Sequence, residues 1–156
     1  DEESRMALLR WDNDAPPRVE IHTIDEPGIE TLIANPTTQA TPPVANSSWV
    51  AWLTGRQQNQ LWVVPTDDLL HGGFLAVSER SALNTLQLVG DSLFFIDSST
   101  DTLQRFELTT GRREVLAEGP FSNRQVSAQP DAVVWVHAGE PGSQVRVLNR
   151  GDSPSE

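Results

Sequence analysis

Three histidines, His22, His71 and His137, are the only imidazoles in the 156-residue sequence, and they stand far apart. A metal or catalytic cluster built locally uses pairs such as His-x-x-x-His, and none is present. The chain has no cysteine, which excludes disulfides, thiolate nucleophiles and cysteine-based zinc sites. Asp12-Asn13-Asp14 and Asp97-Ser98-Ser99-Thr100-Asp101 are rich in oxygen ligands of the kind calcium takes. Neither matches a twelve-residue calcium loop, and Asp and Asn also close turns by bonding their own backbone. No Gly-x-Ser-x-Gly elbow and no glycine-rich phosphate loop occurs. The pairs Asp25-Glu26 and Asp67-Asp68 read as solvated turn positions. The expectation is therefore no catalytic residue, no metal and no cofactor. Recognition is a different matter. Trp and Arg are the residues that most often anchor protein contacts. Trp11 with Arg10, and Trp62, are the candidate binding-surface residues.

Charge narrows the partners. All eleven basic residues are Arg, against 22 Asp and Glu, for a formal net charge of −11. Nine of the acids lie in the first thirty positions. Such a chain repels phosphate backbones and anionic lipid surfaces, so neither nucleic acid nor a membrane surface is an expected partner. No uninterrupted apolar run exceeds five residues, as at Trp49–Leu53. A membrane-spanning helix needs about 20. The acidic start, Asp1-Glu2-Glu3, is unlike the basic opening of a secretory signal. An apolar fraction of 37% with five Trp and five Phe is enough for a packed core.

The elements that would position these residues recur. Met6–Trp11, Trp49–Leu53, Leu93–Ile96 and Val133–Val136 are apolar on both faces. Taking Ala7, Trp49, Leu93 and Val133 as equivalent, the spacings are 42, 44 and 40 residues. Each segment leads through a polar turn to a second strand, beginning near Val19, Leu61, Leu103 and Val145. Their alternating patterns, such as Val145-Arg-Val, predict one face on a core and one in water. Third strands are expected at Ile29–Ile33, Phe74–Val77 and Glu114–Leu116. A fourth leads into the following unit at Thr41–Ala45, Thr85–Val89 and Arg124–Ser127. Ser78–Leu86 could alternatively form a short helix.

Units of 40 to 50 residues built of short antiparallel strands point to β-propeller blades. The predicted fold is all-β and propeller-type, one domain over residues 1–150. Its four blade-like repeats fall at about 5–39, 40–82, 83–121 and 122–150, with 151–156 as a disordered tail. The first repeat has no leading strand and the last no third strand, so the chain reads as part of a larger propeller. A partner protein or peptide, another chain or a further segment, would complete it. The rival reading is an open β-sandwich.

Ser127-Ala-Gln-Pro-Asp131 followed by Val133–Val136, and Phe106-Glu-Leu-Thr-Thr-Gly111 followed by Glu114–Leu116, resemble repeats of the TolB-like and WD-repeat-like β-propellers. The resemblance covers residues 48–150 and, more faintly, 5–35. It implies a protein- or peptide-binding or sensing module of a bacterial envelope, periplasmic or extracytoplasmic. Such propellers also form the sensor halves of membrane-tethered winged-helix regulators. It implies no catalytic residues. The alternative is an accessory propeller of a hydrolase whose catalytic residues lie outside this chain.

Overall fold

Short apolar segments joined by Gly, Asp, Ser and Pro turns form antiparallel strands in the computed structural model, and the described residues contain no helix. The structure describes residues 5–10, 18–23, 30–33, 41–55, 59–68, 73–78, 82–139 and 142–149. Fourteen strands are formed among them. They are β1 (Arg5–Arg10), β2 (Arg18–Thr23), β3 (Glu30–Ile33), β4 (Val44–Ala45), β5 (Trp49–Thr54), β6 (Gln60–Pro65) and β7 (Phe74–Ser78). The remaining seven are β8 (Leu83–Val89), β9 (Ser92–Asp97), β10 (Thr102–Glu107), β11 (Arg113–Glu118), β12 (Phe121–Ala128), β13 (Ala132–His137) and β14 (Gln144–Asn149). The helix considered for Ser78–Leu86 does not form where the chain is described: Ser78 closes β7 and Leu83 opens β8.

The strands make four meandering sheets, ordered β1-β2-β3, β4-β5-β6-β7, β8-β9-β10-β11 and β12-β13-β14. All pairing is antiparallel between sequence neighbours. The repeat read from the sequence is thus one sheet per unit. Among the described residues the first sheet has β1 at its edge and the fourth has β14 at its edge.

Backbone contacts divide the chain into two compact units, residues 1–80 and 81–156. In the first unit, β5 is buried from Val50 to Thr54, and Leu61, Val63 and Val64 on β6 are inaccessible. Within the second unit the third sheet packs face to face on the fourth. Phe94, Ile96 and Leu103 meet Val126, Ala128, Val133 and Trp135. The leading strands β8 and β12 are each bulged, between Asn84 and Gln87 and between Phe121 and Val126. Thr85 and Arg124 sit in these bulges with φ of 54° and 50°, and the Thr85 hydroxyl donates to the Arg124 carbonyl. Extra residues of this kind break the two-residue period, so β8 and β12 run longer than their alternation suggests.

One polar residue of a second strand departs from the expectation: Glu20 is 2% exposed, and a buried carboxylate must be satisfied internally. On β10 the polar face stays partly accessible at Arg105 and Glu107, and Gln104, 3% exposed, shares the face of Phe106. The opposite departure occurs at β14, where Val145 and Val147, the half expected on a core, are 68% and 55% exposed.

Candidate binding surface

The predicted anchors fall in separate places. Arg10 ends β1, and its Nη1 lies 3.4 Å from Oε1 of Glu20. The other carboxylate oxygen of Glu20 is 3.1 Å from Nε2 of His22. Arg10 and His22 thus surround a carboxylate that strand pairing has taken out of water, which is what a buried charge requires. Trp11 lies outside the described residues. Trp62, on β6, pairs across strands with the buried Trp52 on one side and with Leu75 on the other. Its ring is half-buried and its indole nitrogen is out of contact with water. Arg10 and Trp62 belong to different sheets.

The oxygen-rich turn after β9 is occupied by its own residues. Asp97, 1% exposed, accepts from the Ser99 amide at 2.8 Å and the Ser99 hydroxyl at 2.5 Å through Oδ1. Its Oδ2 lies 3.2 Å from Nη2 of Arg113. Arg113 also donates to Oε1 of Gln104 and stands 5.7 Å over the Phe95 ring. The amide of Gln104 donates to Thr102 at 2.6 Å. This arrangement is a closed structural network. Among the described residues no group of three His, Asp or Glu is placed to hold a metal ion. His71 and the Asp12–Asp14 turn lie outside the described residues, and His137 pairs with Phe121 at the end of β13.

Several large apolar side chains remain accessible. The large exposed hydrophobic residues are Leu8 on β1, Phe74 and Leu75 on β7, Val115 on β11, and Val145 and Val147 on β14. They belong to first or last strands of their sheets. Only on β14 do two of them share one face, since alternate residues of a strand point the same way. By register Val134 lies opposite Val147, and Val136 opposite Val145. These four valines make one unbroken apolar face. Its reverse carries Val133, Trp135 and Leu148, which pack on the third sheet. Sequence reasoning passed over this face because the alternation of β14 was taken as core-facing. Among the described residues none covers this face. β14 is also the last strand of its sheet among the described residues, and strands in that place accept a further strand.

No family model matches the chain, and no curated protein matches it in sequence. Solved structures share its fold. The crystal structure of TolB from Acinetobacter baumannii matches at a TM-score of 0.72 and 13% identity, over 99% of this chain and 41% of that one. A prolyl endopeptidase structure matches at 0.70 and 12% identity, over 99% and 26%. The N-terminal domain of Nup159 matches at 0.64 and 13%, over 92% and 38%, and a S. cerevisiae structure of Dbp5 bound to Nup159 and Gle1 at 0.62 and 13%, over 92% and 38%. The chain spans less than half the length of each. The fold is that of a β-propeller, in blade-like repeats, and it resembles TolB and WD-type propellers.

Proposed function

We propose that this chain is a non-catalytic binding module that recognises protein or peptide, serving a sensing role in a bacterial envelope protein, outside the cytoplasm. The observation that carries the reading is the water-facing pair Val145 and Val147 on β14, the last described strand of its sheet, flanked by the half-buried Val134 and Val136. Exposing two adjacent valines at 68% and 55% forfeits burial worth about 1.5–3 kcal/mol each when complete, so this face gains from a partner. The likeness to TolB supports the envelope placement, and the Nup159 structure with Dbp5 bound supports a fold suited to protein contacts. The acidic surface, with net charge −11, favours apolar or basic partners over nucleic acid.

A displayed library of random peptides about a dozen residues long, in the size range of strand-addition ligands, tests this. The wild-type chain is expected to enrich extended apolar sequences, and Val145→Glu is expected to abolish the enrichment. Equal enrichment by the two proteins contradicts the reading. A second reading draws on the likeness to prolyl endopeptidase: an accessory propeller of a hydrolase, with the catalytic residues elsewhere. A hydrolase domain in the parent polypeptide favours it. A winged-helix domain with one membrane span favours the sensor. Ester or peptide turnover by the isolated chain contradicts both.

A further inference from the structure

We draw no further inference here: the strongest candidate, the side-chain cluster at the paired bulges of β8 and β12, where the Thr85 hydroxyl donates to the Arg124 carbonyl and the Ser98 hydroxyl accepts from Arg124 and Asn84, is a set of hydrogen bonds closed within the molecule, and nothing in the structure shows what the exposed Arg124 would hold.

Discussion

The third and fourth sheets are built on one pattern and meet opposite fates. β9 and β13 are both apolar on two faces, and their hairpins have the same register. Yet Leu103 is fully buried while its counterpart Val145 is 68% exposed. Nothing within β14 explains this. The difference lies in the neighbour: the third sheet has the fourth against it, and no described residue lies in the corresponding place on the fourth. In a stacked repeat, burial belongs to the interface between units, and a unit with no described neighbour on one side shows an apolar face there.

Five substitutions sharpen this contrast. Trp135→Ala removes the ring that covers Phe94 and Ile96, and should lower stability by about 3–5 kcal/mol, read from the urea midpoint. It also makes the third sheet resemble the fourth, so binding of a hydrophobic dye should rise. Leu103→Ala should cost about 2–5 kcal/mol, while Val145→Ala at the equivalent place should stay within about 0.5 kcal/mol. Equal losses at the two sites would break the comparison. Asp97→Ala should cost about 1.5–3 kcal/mol, because it removes a charged acceptor of the Ser99 amide and the partner of Arg113. His137→Ala, its counterpart in the fourth sheet, should cost less than about 1 kcal/mol, since His137 closes no comparable network.

The hairpin rhythm was legible because apolar runs such as Leu93–Ile96 and Val133–Val136 are bounded by turn residues at a steady spacing. Gly111, with φ of 70°, closes the β10–β11 turn that Thr110-Gly111 announces. Bulges were not legible: Leu83 is fully buried two residues before the alternation of β8 begins, because the extra residue at Thr85 shifts the phase. The buried Glu20 escaped notice for a different reason. An alternating strand reads as half in water, and the Arg10 and His22 side chains that surround this carboxylate come together only through strand pairing. The binding surface was sought among Trp and Arg, which are strong anchors in general. Trp62 stands half-buried opposite Trp52, and Arg10 stands against Glu20. The valines of β14 are where the described residues expose two large apolar side chains on one face, and their alternation was clear in the sequence.

The account stands on the valine face being open in the single chain and occupied when a partner is present. The absence of cysteine allows one thiol to be placed at a time, and alkylation rates of Val145→Cys and Leu103→Cys test it most directly. In the free chain the thiol at position 145 should react as fast as a free thiol, and slow when a peptide captured by the wild-type chain is added. The thiol at position 103 should stay protected throughout. Protection at position 145 in the free chain, or a rate unchanged by a captured peptide, would contradict an open docking face.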